Sequence, residues 1–331
     1  TAGGNCTTAT NASGKNLTTA FAFDAAGNID TIDGPRPGTA DTTDYSFDKM
    51  RRLTVVAQPL NAKTRYCYDE DGLLVGTHRA RAAAVVDSNA ATAGTTGQCP
   101  TAYSTADWQN EARTYFSTGD LASVTDNDGH VTQYQYDAVG RTTLVTDPDN
   151  RRTSTVYDLA GQTLCVWRGW NSTSPQTTCT WGGTYTGTEP VRYAQYAYTN
   201  NGLQRQVVDA KLNTTDYLFD GFDRLRYTLF PRPTDGTRCT PPSNPSSATA
   251  PTCLGSTAAD KQTYERYDYD AAGNRTGLIT RAGQTIAFTF DLNNRPLTKL
   301  PAGLTQVAYE YDRLGNATKT CFWVSGTGCG T

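Results

Sequence analysis

The sequence predicts an all-β chain of tandem hairpins, and three observations predict it. An aromatic residue followed by Asp, with Gly four residues after the aromatic, recurs along almost the whole length. Successive copies keep mostly to one fixed interval, and a second aromatic stands two residues before the first. Composition agrees: Tyr (19) outnumbers Phe (10) and Trp (5) while 18% of residues are charged, a balance that suits pleated sheets better than a Leu-rich helical core.

The clearest copies are FDAAG from Phe23, YDEDG from Tyr68, YDAVG from Tyr136, YDLAG from Tyr157, YDAAG from Tyr269 and YDRLG from Tyr311. Weaker copies start at Phe47, Tyr115, Tyr198, Phe219 and Phe290, which makes eleven. The intervals between lead aromatics are 24, 21, 47, 21, 21, 41, 21, 50, 21 and 21 residues, so six of ten equal 21 and the chain is a repeat protein. Upstream partners such as Tyr66, Tyr134, Tyr267 and Tyr309 share a strand face with their lead aromatic, because side chains alternate with period 2.

Turn chemistry follows each lead aromatic. In YDAVGR (136–141), the Asp137 carboxylate can accept from a backbone N–H two residues on, and Gly140 supplies the positive φ of a tight hairpin. Asp69 and Gly72, Asp158 and Gly161, Asp270 and Gly273, and Asp312 and Gly315 take the same roles; Arg51, Asp223 and Asn294 replace the Gly in three copies. A strand resumes with residues such as Thr142 and Leu144, and a second turn follows at TDNDGH (125–130), TDPDNR (146–151) or TRAGQ (280–284). Two turns per repeat leave about 6 or 7 residues for each strand, so each repeat is a hairpin and the chain an antiparallel meander.

Longer intervals mark insertions near 80–107, 168–190 and 231–260, expected as loops presented outward from a single repeat domain spanning 1–331. The first is rich in Ala, Thr and Ser, and the third in Pro and Ser. The second holds Trp170 and Trp181, expected to be exposed and to offer a contact surface. The stretch Asp107–Phe116 reads as strand, and no segment shows a helical apolar stripe.

Nine cysteines without a C-x-x-C pair argue against a zinc site and for an oxidising compartment. Cys165 and Cys179, Cys239 and Cys253, and Cys321 and Cys329 lie close in sequence, so local bridges are the economical pairing, with Cys67 and Cys99 as further candidates and the connectivity open. The odd count leaves one thiol over; Cys6 is the candidate, free or bonded beyond this chain.

A net charge of -3 gives no electrostatic footprint for nucleic acid. No apolar run approaches the length of a membrane span. The chain begins at Thr1 without Met, as a processed or trimmed piece would. His78 and His130, both in or near turns, carry no catalytic motif, and no catalytic residue, cofactor or metal site is read. The acidic runs 69–72 and 126–129 invite a calcium reading, but Asp and Gly belong in hairpin turns anyway. Rows of Tyr are expected to form aromatic ladders that stabilise the sheet rather than stack on sugars.

The YDxxGR motif, its Y-x-Y-D flank and the 21-residue spacing together resemble the RHS/YD repeat of bacterial RHS proteins, toxin-complex cocoon subunits, wall-associated proteins and teneurins. The resemblance covers about residues 21 to 318. It implies a continuous antiparallel sheet that spirals into a shell, here an open or partial one. Toxin-delivering members carry an autoproteolytic DPxG segment; here the one Asp-Pro, Asp147–Pro148, sits in an inter-strand turn, a departure that leaves toxin release unsupported for this piece. The leading expectation is therefore a secreted or cell-surface bacterial structural protein that self-associates through sheet edges into a fibre, tube or shell. A shell fragment of a toxin-delivery protein and a loop-mediated adhesin binding glycan or protein are the alternatives.

Overall fold

The computed structural model describes residues 9–10, 16–36, 41–59, 62–82, 85–180, 191–232, 236, 239–246, 251–252 and 263–322. Cys6, Trp181, Cys253 and Cys329 lie outside the described residues. The chain divides into two compact units, Thr1–Arg152 and Thr153–Thr331.

The first unit holds a two-stranded hairpin, β1 (Ala9–Thr10) with β2 (Asn16–Leu17), and a ten-strand ladder. The ladder runs β3 (Ala20–Phe23), β4 (Ile29–Asp33), β5 (Thr42–Phe47), β6 (Leu53–Gln58), β7 (Ala62–Tyr68), β8 (Leu74–Ala80), β9 (Trp108–Tyr115), β10 (Leu121–Thr125), β11 (Val131–Tyr136) and β12 (Thr142–Thr146). Each strand pairs antiparallel with the next. The second unit repeats the design with β13 (Arg152–Tyr157), β14 (Thr163–Arg168), β15 (Val191–Tyr198), β16 (Gln204–Asp209), β17 (Thr214–Phe219) and β18 (Leu225–Leu229). It continues through β19 (Tyr264–Tyr269), β20 (Arg275–Ile279), β21 (Thr285–Phe290), β22 (Pro296–Pro301), β23 (Val307–Tyr311) and β24 (Ala317–Phe322), again paired antiparallel in order.

Every lead turn is built alike. In the turn after Tyr136, the Gly140 N–H donates to the Asp137 carbonyl at 3.1 Å and the Asp137 N–H donates to the Arg141 carbonyl at 2.9 Å. This is a three-residue hairpin loop, a type I turn closed by one left-handed residue. All eleven copies show both bonds. The three copies without Gly take the same conformation, with φ of 63° at Arg51, 60° at Asp223 and 62° at Asn294. In all eleven hairpins the pairing then slips at the lead aromatic, as where Tyr136 faces Thr142 but Gln135 faces Leu144. The extra residue on the return strand is a bulge, here Thr143, whose hydroxyl donates to the Gln135 carbonyl at 3.2 Å.

Buried side chains gather where insertions meet the sheet. The first insertion contains a short helix, α1 (Ala90–Thr96), with Ala93 fully buried and Gly97 as left-handed cap at φ 74°. The sequence shows no stripe for it, because seven residues held by tertiary contacts need none. In the second unit, Val156, Cys165 and Trp167 pack with Leu164, Trp170 and Cys179. Tyr227, Leu229 and Cys239 pack with Leu218 and Tyr264. The described parts of the insertions thus pack against the sheet. Among the described residues no helix is long and apolar enough to cross a membrane.

Leu212 occupies the left-handed position of the turn Asp209–Asn213 at φ 68°, and its side chain is 60% exposed. Replacing it with Gly removes a steric penalty and little packing, so Leu212→Gly is expected to stabilise the chain by about 1 kcal/mol. Urea denaturation measures this; a loss of stability contradicts the strain assignment.

Candidate functional site

The recurring feature with the most chemistry is the junction between one hairpin and the next. It starts at the Asp carboxylate. Asp137 Oδ1 accepts from the Val139 N–H at 3.1 Å and the Arg141 N–H at 3.0 Å, while Oδ2 accepts from Arg141 Nε at 2.6 Å. Asp48 with Arg52, Asp220 with Arg224 and Asp291 with Arg295 repeat the arrangement. Asp24, Asp270 and Asp312 use Asn28, Asn274 and Asn316 instead. These bonds favour the charged form. The Arg141 N–H lowers the Asp137 pKa, the Arg295 N–H that of Asp291, and the Asn274 and Asn316 amides those of Asp270 and Asp312.

The carboxylate also aims the residue after the Gly position at the following copy. Arg52 stands 4.7 Å from the ring centre of Tyr68, Arg224 4.9 Å from Tyr269, and Arg295 4.7 Å from Tyr311. Arg224 Nη1 further donates to the Asp270 carbonyl at 3.0 Å. The phenols close the contact from the other side. Tyr68, Tyr115, Tyr198, Tyr269 and Tyr311 donate to the carbonyls of Leu53, Leu74, Thr163, Leu225 and Pro296 at 2.8 to 2.9 Å. In each case the acceptor is the residue paired across the hairpin with the previous lead aromatic. It directly precedes the bulge residue, where the regular ladder is interrupted. Burial raises the pKa of Tyr68, Tyr198 and Tyr269, which keeps the donating proton in place.

This clasp recurs in both units, and the model of the RHS repeat matches residues 117–152, a segment that contains the lead turn of the Tyr136 copy with its Asp137–Arg141 pair. Within that segment the chain carries an RHS repeat. No curated protein matches it. Among solved structures, the Tc holotoxin pore of Photorhabdus luminescens is similar at 16% identity and a TM-score of 0.44, over 94% of this chain and 16% of that one. A crystal structure of TcdB2–TccC3 is similar at 16% identity and a TM-score of 0.40, over 94% of this chain and 17% of that one. This chain therefore spans about a sixth of the length of those chains.

The remaining sequence candidates are held inside the same scaffold. The expected aromatic ladder is instead an alternation of Arg and Tyr; the described ring-to-ring contact between lead turns of successive copies is Phe116 against Tyr136, edge-on at 6.3 Å. Asp69 and Asp126 spend their carboxylates on turn N–H groups, Asp69 on Leu73 and Asp126 on Asp128 and His130. His130 Nδ1 lies 3.1 Å from Asp126 in that exposed turn. His78 is partly buried beneath the first insertion, stacked 4.2 Å from Tyr103 with Nδ1 2.9 Å from Asn110 Oδ1, and burial pushes its pKa down. Trp170 corrects the expectation of an exposed contact residue: it packs against Trp167 and donates through Nε1 to the Ser174 carbonyl at 2.7 Å.

Buried polar side chains fasten the insertions. Arg65, 4% exposed, donates to Asp87 through Nε at 2.7 Å and Nη2 at 2.5 Å, and Asp87 also accepts the Tyr103 hydroxyl at 2.7 Å. A disulfide joins Cys67 to Cys99 across a separation of 32 residues, and a second joins Cys165 to Cys179 across 14. Cys239 and Cys321 are also disulfide-bonded. Closing a loop of the Cys67–Cys99 size stabilises by roughly 3 to 4 kcal/mol in the chain-entropy picture.

Tyr269→Phe removes one phenol-to-carbonyl bond and leaves the ring, so it is expected to cost about 1 kcal/mol in urea denaturation. An unchanged midpoint contradicts the clasp. The turn carboxylates add a pH dependence. The folded pKa values of Asp137, Asp270, Asp291 and Asp312 lie below the ordinary 3.8, so the contribution of these groups is fully present above that value and is lost as pH falls through the folded value. The thermal midpoint is expected to hold down to about pH 5 and then to fall steeply in acid, with a shallower fall in Asp137→Asn.

Proposed function

We propose that this chain is a wall segment of an extracellular bacterial β scaffold, a protomer of a surface fibre, tube or shell, whose repeats act as architecture rather than as a site of chemistry. One observation carries the reading: the clasp is indifferent to what lies between its two halves. Tyr115 reaches Leu74, Tyr198 reaches Thr163 and Tyr269 reaches Leu225 at 2.8 to 2.9 Å, although an insertion separates each pair. Tyr311 reaches Pro296 at 2.9 Å with no insertion between them. A fold that holds one inter-repeat geometry through such variation is built to extend a surface. The disulfides support an oxidising compartment, hence a secreted or cell-surface location.

Exposed apolar end strands support self-association. The first ladder begins with β3, exposed throughout, with Phe21 50% and Phe23 61% exposed. The second ends with β24, where Phe322 is 72% exposed. Strands of this kind are templates for a further chain. Negative-stain electron microscopy of the full natural protein under oxidising conditions tests the reading, with filaments, tubes or hollow shells as the expected images. Compact solid particles that stay monodisperse at every concentration overturn it. An enclosed shell with density inside it would assign this chain to an encapsulating wall rather than a fibre.

A further inference from the structure

The residue after the Gly position of the lead turn is Arg in four copies, Asn in three, Leu in two, Gln in one and Asp in one. The single acid is Asp120, in the copy led by Tyr115. In that copy the place of the turn Asp is taken by Phe116, so the turn has neither its acid nor its cation where the others have them. The backbone is unchanged: the Phe116 N–H donates to the Asp120 carbonyl and the Gly119 N–H to the Phe116 carbonyl, both at 2.9 Å.

The Asp120 side chain takes the course that Arg takes elsewhere. Its Oδ1 lies 3.8 Å from where a Cβ on Gly140 would stand, as Arg295 Nη1 lies 3.7 Å from that of Gly315 and Arg52 Nη1 3.1 Å from that of Gly72. The shorter chain ends over the next turn without covering the next ring. Tyr136, which follows Asp120 as Tyr68 follows Arg52, has no guanidinium over it among the described residues. In place of the stack there is a groove of about 720 Å³, lined by Phe116, Thr118, Asp120, Tyr134, Tyr136 and Asp137. Phe116 lies roughly perpendicular to Tyr136 there, with ring centres 6.3 Å apart, and is 44% exposed.

Charge decides what fits. Asp137 is already matched by Arg141 at 2.6 Å, whereas Asp120 accepts only a hydroxyl, that of Thr118 at 2.7 Å, among the described residues. A free carboxylate beside an uncovered phenol face is the complement of a planar cation, which gains from the ring and from the acid together. We propose that this groove receives the guanidinium of an arginine side chain from a partner polypeptide, which takes the place that the chain's own Arg takes at Tyr68, Tyr269 and Tyr311. The site is independent of whether the scaffold is a fibre or a shell.

Calorimetric titration of the intact protein with the peptide acetyl-Gly-Arg-Gly-amide, and with the neutral isostere carrying citrulline, tests this. The Arg peptide is expected to bind saturably and the citrulline peptide at least about fivefold more weakly, with Asp120→Asn showing a loss of the same order for the Arg peptide. The double variant Phe116→Asp with Asp120→Arg restores the common turn. It is expected to abolish peptide binding while raising the thermal midpoint, a result that misfolding cannot produce. Equal binding of the two peptides, wild-type affinity in Asp120→Asn, or no saturable heat from the folded wild-type protein overturns the proposal.

Discussion

A carboxylate folded back onto the backbone of its own turn is the interaction on which this structure rests. A tight hairpin leaves N–H groups at its tip with no ladder partner, and an unpaired N–H is costly unless water or a side chain takes it. Asp137 takes two with one oxygen and orients Arg141 with the other. The same atom set recurs at Asp48, Asp220 and Asp291. Because one group fixes both the turn and the direction of the guanidinium, the geometry inside a hairpin sets the geometry between hairpins.

The bulge at the lead aromatic is the second half of that coupling. It takes one residue out of register and interrupts the ladder at the carbonyl just before it, and the next copy's phenol donates there. Each contact spans adjacent hairpins and does not depend on the path between them. Loop-closure entropy grows only logarithmically with length, so tens of inserted residues add little to the cost of bringing the two halves together. The insertions at 81–107, 169–190 and 230–263 are tolerated for that reason, and Tyr115, Tyr198 and Tyr269 still find their carbonyls.

Most of this architecture can be read from residue types alone, because its determinants are local. The YDxxG segment names its own turn, and even Arg51, Asp223 and Asn294 take the positive φ that their position in the motif demands. Strand 108–115 follows from its place ahead of a repeat. The clasp is less visible, since it joins residues 15 to 45 positions apart, yet it leaves a trace. Arg52, Arg224 and Arg295 each precede a copy led by Tyr, while Asn28 and Asn274 each precede one led by Phe. A phenyl ring cannot donate to the carbonyl, and Asn is too short to lie over a ring. The helix Ala90–Thr96 leaves no trace at all, because it is stabilised by what it touches: Arg52 donates to the Thr96 carbonyl and Asn89 exchanges bonds with Thr101.

The insertions also explain how a sheet with so few fully buried side chains remains ordered. Ala, Thr, Ser and Pro look unsuited to covering a sheet, since they offer little apolar area. They succeed here by bringing backbone carbonyls to buried donors. Trp167 Nε1 donates to the Thr178 carbonyl at 3.2 Å, Arg192 to that of Cys179 at 3.0 Å and Asn89 to that of Thr101 at 2.7 Å. Each bond satisfies a buried or half-buried sheet or loop donor, so the covering is polar in its contacts. A disulfide then holds the covering segment against the strand that needs it, as Cys99 on Cys67 of β7 and Cys179 on Cys165 of β14. Composition can therefore drift widely in these segments without exposing the sheet, provided that the carbonyls and the cysteine stay in place.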